Sequence, residues 1–517
     1  MGEHWCAVED ARLLGDKMKL ADHSNCTGCA LCVAVCELNA IKIIEDKNEH
    51  FFYPEIIKGK CLECGQCLEV CPGAKIAANC SRPICAYAAN NKSSEIRMIS
   101  ASGGMFRALA SQVVSEGGAV AGVEYDGVDR CQHTVVTSEK DLDSLCGTKY
   151  FQSETNGVFA DLEVHASRHG ALMFCGTPCQ VAAMKCYATL KGFDRKLIIV
   201  EILCRGISPA FLHKCFLQHL ENKFRKKVIS IHYKEKSKGW DQIGTMVRFE
   251  DDSEEYIDRS ENYLARLAYE LNLSIRECCY NCKFKKVERC ADITIGDFWG
   301  LKDSPLLDNL GTSFIMINTQ KGMDLFDKVA DKLELYPCSV DAVVSGNRYG
   351  FDQVQCDHKM RDYLWDGLNN GEDVGVVTER IINKALDAKI KRQKRMIDKD
   401  NRIMKLYERW VTGYSRGENM CQFLLDNRLE HIAIFGFGTL GRAVFDVIRS
   451  SSVSVSYIIE SNKSRWDKNL CQFFTAQDDL PNVDAVIVTA ISDFEDISKK
   501  MKENLICPIL SLEDIVP

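Results

Sequence analysis

The sequence predicts a multidomain chain of mixed class, α+β at its head and α/β thereafter, and three observations carry that expectation. The run C-x-x-C-x-x-C-x-x-x-C occurs twice, at Cys26, Cys29, Cys32 and Cys36 and again at Cys61, Cys64, Cys67 and Cys71. From about residue 100, apolar strand-like stretches alternate with amphipathic helices through short glycine turns. Near residue 431 a strand, a G-x-G-x-x-G turn and a helix begin a further unit.

The doubled run is the most specific signal. Two-residue gaps let three thiolates curl round one face of an iron-sulfur cube, while the fourth cysteine, on the short helix that follows, points toward a second cube. Crossed ligation follows: one 4Fe-4S cluster on Cys26, Cys29, Cys32 and Cys71, the other on Cys61, Cys64, Cys67 and Cys36. Zinc sites instead use four ligands in two pairs. Pro72 follows the second run, whereas Glu37 stands at that place after the first. Between the runs, AIKIIEDKNEHFFYPEII reads as a short β-hairpin.

Length, charge and cysteine usage set the frame. The 517 residues have room for roughly three domains of about 150 residues. A formal charge of -8 and a pI near 5.9 offer no basic field for nucleic acid or an anionic membrane, so small molecules and proteins are the expected partners. The 27 cysteines accompany cluster motifs and a charged opening, MGEHWCAVEDARLLGDK, that is no signal peptide. No apolar run approaches the ~18 residues that a bilayer span requires. A reducing cytoplasm is the expected compartment.

After Cys80 and Cys85, MISASGGMFRALASQVVSEGGAVAGVEYD gives a Gly-Gly turn, an amphipathic helix from Met105 to about Ser115, a Gly117-Gly118 stop and a strand. HGALMFCGTPCQVAAMKCYATL repeats the grammar, with a strand ending at Cys175, the turn Gly176-Thr177-Pro178-Cys179 and a helix; KLIIVEILCRGISP is a strand ending at Cys204. Strand and turn character continues over 224–252, with a helix near 260–272. RECCYNCKFKKVERCADITIGDFWG then carries a C-x-x-C at Cys279 and Cys282, which zinc, redox and cluster roles share.

The ordered motifs ASGGMF, GTKYFQ, FCGTPCQVAAMK, ILCRGISP, CCYNCKF and ADITIGDFWG, behind a two-cluster head, resemble the beta subunits of coenzyme F-420 hydrogenases and dehydrogenases. The resemblance covers residues 1 to about 370, ending with HKMRDYLW. It implies FAD in an α/β fold and electron passage between clusters and an organic substrate, whose identity does not transfer with the fold. It also implies a third 4Fe-4S cluster on Cys179, Cys204, Cys279 and Cys282, where the carboxyl ends of adjacent strands converge. Cys278 and Cys290 compete as ligands, and Cys179 and Cys204 read equally as small buried apolar residues. For FAD it implies Ser102, Gly103 and Gly104 at a helix start that faces a pyrophosphate. Gly147, Thr148, Lys149 and Tyr150 would add a cation and an aromatic face, Thr177 and Pro178 belong to the FCGTPC turn, and Asp297 and Trp299 border the ring. By themselves Ser-Gly-Gly is an ordinary helix start and Lys-Tyr a surface pair.

Beyond about residue 370 the likeness ends. The charged stretch TERIINKALDAKIKRQKRMIDKDNRIMKLYERW, with Ile381, Ile382, Leu386 and Ile390 roughly on one face, reads as a connector or a partner-binding helix. HIAIFGFGTLGRAVFDVI then sets Gly436, Gly438 and Gly441 in a turn between strand and helix, with Glu460 ending the next strand where a ribose-binding acid stands in dinucleotide folds. The unit resembles small Rossmann-like domains attached to sugar-modifying enzymes, which implies a nucleotide or nucleotide-sugar, or else a docking role. As read here it offers one mononucleotide half.

The expected organisation is a two-cluster ferredoxin-like head over 1–80, an α/β flavin-binding and iron-sulfur core over 81–370, a helical connector over 371–427 and a small Rossmann-like α/β domain over 428–517. The expected function is a flavin-dependent iron-sulfur oxidoreductase drawing on ferredoxin or another redox protein and acting on a small organic substrate, with a link to polysaccharide or nucleotide-sugar metabolism. The rival is a non-catalytic electron-transfer subunit serving a partner enzyme.

Overall fold

The computed structural model describes residues 20–74, 80–302, 304–467 and 469–517. The opening stretch read as no signal peptide lies outside the described residues. The chain divides into two compact units, Met1–Ile382 and Asn383–Pro517, the division falling within the helix Val374–Ser415. Among the described residues no helix is long and apolar enough to cross a membrane.

The first unit begins with the head. Its cysteine runs each lead into a single helical turn, α1 (Leu31–Ala34) and α2 (Gln66–Glu69), at corresponding positions of the repeat. The residues before these turns, Ala30 and Gly65, are left-handed, and so are Gly28 and Glu63 two places earlier. The expected hairpin is present: β1 (Ile41–Glu45) pairs antiparallel with β2 (Phe52–Ile56), Ile41 opposite Ile56. Glu49 at its tip takes a bidentate ion pair from the buried Arg361, Nε to Oε1 at 2.7 Å and Nη2 to Oε2 at 2.5 Å. His50 reaches Asn369 at 2.8 Å, so the helix His358–Asn369 clamps the hairpin tip.

The core strands follow as β3 (Cys85–Asn91), β4 (Ala119–Asp126), β5 (Arg130–Val136), β6 (Leu172–Gly176), β7 (Leu197–Ile202), β8 (Val228–Glu235), β9 (Gly244–Phe249), β10 (Glu254–Ile257), β11 (Ile293–Asp297), β12 (Ser313–Ile317) and β13 (Leu333–Cys338). Eight of them form one sheet, in the order β13-β3-β12-β11-β7-β6-β4-β5. Its middle, β4, β6, β7 and β11, is parallel, and the flanks are antiparallel. β8, β9 and β10 make a separate antiparallel sheet. The helices of this unit include α3 (Ser94–Ile99), α4 (Met105–Ser115), α5 (Val158–Arg168), α6 (Pro178–Lys191) and α7 (Ala210–Phe224), α4 spanning the expected residues and α6 standing where a helix is expected after the Gly176–Cys179 turn. The helix expected near 260–272 is instead a broken series of short turns. α5 and α6 bury Phe159, Leu162, Val181 and Met184 against Leu31 and Val35 of the head, which is how a small module with little core of its own is held.

The second unit is built on β14 (His431–Phe435), β15 (Ser454–Ile459), β16 (Gln472–Phe474), β17 (Ala485–Val488) and β18 (Ile509–Ser511), all parallel in the order β16-β15-β14-β17-β18. This corrects the reading of a single mononucleotide half. β17 and β18 extend past β14, so the strand order reverses and creates a switch point.

Candidate cluster and cofactor sites

Parallel strands put their carboxyl ends on one edge of a sheet, and that edge holds the chemistry. β6 ends at Gly176, Thr177 caps α6 with its N–H donating to Gln180 Oε1 at 3.0 Å, and Cys179 follows in the first turn. The adjacent β7 ends just before Cys204, and β11 ends on Asp297. One cavity on this edge is lined by Cys179, Cys204, Cys279 and Cys282 together with Pro178 and Lys285. Burial pushes the Cys204 thiol up to about 12 and Cys179 well above its usual range; Cys279 and Cys282 press on both, and Cys204 presses on Cys179. Lys285, 7% exposed, leaves its Nζ without a hydrogen-bond partner among the described residues while facing Cys204, Cys282 and Cys279. An orphaned buried ammonium beside four thiols suits an anionic group between them. The competing ligands resolve differently. Cys278 shares a hydrogen bond with Cys279, holding the latter below its usual range, and Cys290 is bonded to Cys80 as a disulfide. That bond takes Cys290 out of the competition and joins segments brought together by the Ser81 to Arg289 bridge.

In the head, burial raises the Cys29 thiol to about 11, with Cys71 and Cys26 adding to it; Cys32 is raised further, with Cys29, Cys26 and Cys71 beside it. Cys67 has Cys61, Cys64 and Cys36 as neighbours. Cys71 of the second run thus bears on Cys29 and Cys32 of the first, and Cys36 of the first on Cys67 of the second. Among the described residues no group of three or more His, Cys, Asp or Glu side chains is placed to hold a single metal ion. The head abuts the four-cysteine cavity, whose wall includes Asn25, Thr27 and Gly73.

A larger cavity of about 620 Å³ opens beside it, and Cys179 and Cys204 line both. Its wall contains Ser102, Gly104, Gly147, Thr148, Lys149, Tyr150, Thr177, Asp297 and Trp299. Two expected residues stand elsewhere. Gly103 does not line it, because its N–H is taken by Ser313 Oγ at 2.9 Å and a side chain there would collide with the Ala89 carbonyl; Pro178 faces the four-cysteine cavity. Gly104, at φ 85, starts α4 in the left-handed conformation that glycine tolerates. The Ser102 hydroxyl, buried, has no partner among the described residues. Lys149 donates to the Cys146 and Ser144 carbonyls at 2.7 and 3.2 Å, and burial lowers it to about 8. Asp297 pairs with Lys234; burial alone would depress Lys234, but Asp297 raises it overall. Trp299 stacks on Trp240 with centroids 5.3 Å apart. Sequence reasoning passed over Arg205, Arg259, Lys234, Tyr269 and Tyr349. With them the cavity carries Lys149, Arg205, Lys234 and Arg259 against Asp297 and Glu270, an excess of positive charge. Arg205, next to Cys204 in ILCRGISP, had a visible signal; the rest depend on folding.

In the second unit, Gly436 has φ 91 and Gly441 lies so close to the Gly436 carbonyl that a side chain would not fit, whereas Gly438 faces open space with Arg465 at 3.9 Å from a would-be Cβ. Glu460 is occupied internally, accepting from Phe437 N–H at 2.9 Å and Asn462 N–H at 2.8 Å, with Arg465 at 3.3 Å. It braces the glycine turn rather than offering a free carboxylate to a ribose.

Comparison with known proteins gives these observations a setting. Residues 170–342 match the family described by the C terminus of the coenzyme F420 hydrogenase/dehydrogenase beta subunit, and residues 25–74 match a 4Fe-4S dicluster domain. No curated protein matches the chain. Among solved structures, a chain from the xenon-derivatised F420-reducing [NiFe] hydrogenase complex of Methanosarcina barkeri aligns at 17% identity over 56% of this chain and 95% of that one, with a TM-score of 0.37. The converging cysteines and the two matched segments lead to one conclusion: this is an iron-sulfur electron-transfer protein whose core over residues 170–342 matches the C-terminal part of the F420 hydrogenase/dehydrogenase beta subunit.

Proposed function

We propose that the protein is a cytoplasmic flavin-dependent oxidoreductase: it takes electrons from a ferredoxin-type donor at its head and delivers them to an organic substrate in the large cavity, where FAD binds. The observation that carries this reading is the shared wall, since Cys179 and Cys204 border both the four-cysteine site and the cavity. The residues fit the cofactor: an unpartnered Ser102 hydroxyl, a left-handed Gly104 at the start of α4 and an excess of cations. FAD, when bound, supplies the exchange between single electrons and the pair that a hydride transfer needs. Cys179, Cys204, Cys279 and Cys282 would hold a third cluster. Ser102 and Gly104 bind at the α4 start, Lys149 and Arg259 offset phosphate charge, and the Asp297–Lys234 pair with the Trp240–Trp299 stack shapes the cavity wall.

Anaerobic purification of the full chain tests this by its bound flavin. About one FAD per chain is expected, reduced through the clusters by a low-potential donor. A fully iron-loaded protein that neither contains nor takes up FAD sinks the reading. Turnover with a dye donor then separates enzyme from electron-transfer subunit. For the second unit we propose nucleotide or nucleotide-sugar binding at the Gly436–Gly441 turn, supported by the reversed strand order and the open space at Gly438, and with it the link to polysaccharide or nucleotide-sugar metabolism. Calorimetry of the full chain and of Gly438→Val with NAD, FAD and nucleotide-sugars decides it; flat traces throughout would leave docking.

A further inference from the structure

Arg276 is fully buried and stands just ahead of the C-C-Y-N-C stretch. Its guanidinium donates to Cys26 O at 2.8 Å, Phe52 O at 2.8 Å and Gln152 Oε1 at 3.1 Å, and lies 4.1 Å over the Tyr53 ring. All of these partners are neutral. Nη2, which also donates to Phe52 O, points its second N–H at Cys26 Sγ, 3.6 Å away. Among the described residues no carboxylate forms an ion pair with it. A buried guanidinium is always charged, and a buried charge without an opposite one is costly, so the fold is arranged for an anion at the Cys26 sulfur. Gly28 leaves the space for this approach: a side chain on it would stand 2.8 Å from Arg276 Nη1. Among the described residues the second cysteine run has no counterpart. Cys64 is exposed, and the donors to Cys61 and Cys36 are the backbone amides of Glu63 at 3.4 Å and Ala40 at 3.3 Å.

We propose that Arg276 is the counter-charge of the cluster held by Cys26, Cys29, Cys32 and Cys71, and that it raises this inner cluster's reduction potential above that of the outer cluster held by Cys61, Cys64, Cys67 and Cys36. Reduction adds one electron and hence one negative charge, which an adjacent fixed cation and an N–H to sulfur both stabilise. The outer cluster, wetter and, among the described residues, without a side-chain cation donating to its sulfurs, lacks that help. An electron arriving at the exposed run is therefore favoured to move inward, toward the four-cysteine cavity that Asn25, Thr27 and Gly73 border. The proposal rests on the crossed-ligand reading of the head and is independent of the flavin and substrate.

The test is a dye-mediated redox titration of the full, iron-reconstituted chain followed by electron paramagnetic resonance, with iron content measured alongside. In Arg276→Gln one head-cluster wave should move to lower potential, shifting its oxidised-to-reduced ratio about tenfold or more at fixed ambient potential, which is ~59 mV for one electron, while the other stays. Arg276→Lys, which keeps the charge, should recover much of the shift. Gln152→Glu, which keeps Arg276 but sets a carboxylate against it, should move the same wave down and carries the test if Arg276→Gln does not fold. Unmoved waves in an iron-replete Arg276→Gln or Gln152→Glu overturn the proposal, as does an Arg276→Lys wave displaced as far as that of Arg276→Gln. An error in the ligand assignment shows separately, as the wrong cluster lost in Cys71→Ser.

Discussion

In the first cysteine run Cys26 and Cys29 are buried and Gly28 lies under the Arg276 guanidinium; in the second, Cys64 is exposed and Gly65 has no atom within 4 Å of a would-be Cβ. Yet both runs place left-handed residues at the same two positions and enter a helical turn at the same third. The spacing of cysteines dictates the backbone path, and the path alone does not decide what surrounds the sulfurs. That is set by Leu31 and Val35, which press the first run into α5 and α6, while Gln66 and Val70 at the equivalent places of the second run are only half-buried. The same motif thereby becomes an inner and an outer site.

The largest expected effect breaks or keeps the distinction outright. Cys71→Ser, though in the outer run, should remove the inner cluster, while Cys36→Ser should damage the outer; Cys204→Ser should remove the third, each costing about four of about twelve irons. Iron analysis with cluster spectra checks all three. Next, Leu31→Ala should destabilise by ~2–5 kcal/mol because Leu31 is wholly buried, whereas Leu62→Ala, 77% exposed beside Cys61, should stay within ~0.5 kcal/mol; thermal unfolding of the reconstituted protein measures both. Gly65→Ala should cost ~1–2 kcal/mol for its left-handed backbone alone, and Gly28→Ala more, since it must also displace Arg276. Equal costs would erase the contrast between a packed and an open turn.

Acid gives the smallest effect and belongs to the buried side. His133 and His213 are held near about 4 by burial, against 6.5 for a free imidazole. Between those values the unfolded chain binds protons that the folded chain refuses, so stability present above pH 6.5 declines as pH falls toward 4 and not further below it. His213→Gln should flatten part of that decline in denaturant melts taken across pH.

Much of this was legible because it is local. Cysteine spacing, the hairpin between the runs and the helix from Met105 to Ser115 are written in periods of two to four residues, and the strand-end positions of Cys179 and Cys204 follow from counting strands. What escaped was decided across the chain. The partner of Cys290 is 210 residues away, Gly103 is a glycine because of the Ala89 carbonyl rather than a phosphate, and Glu460 fits the ribose-acid spacing yet turns back on Phe437. Arg276 reads as a surface residue beside a C-x-x-C until the fold sets it against Cys26, 250 positions earlier.

The Glu49–Arg361 clamp has a consequence for anyone who would treat the head as a transplantable cassette. Glu49 and Arg361 are 312 residues apart, and the same helix also offers the Asn369 amide to Asn48 O at 2.9 Å. A head excised at its apparent border would leave behind the bolt that fixes its tip, and with it the rigid spacing between successive electron carriers. Grafting it onto another enzyme therefore calls for bringing the helix His358–Asn369 along, or for building an equivalent anchor in the new host.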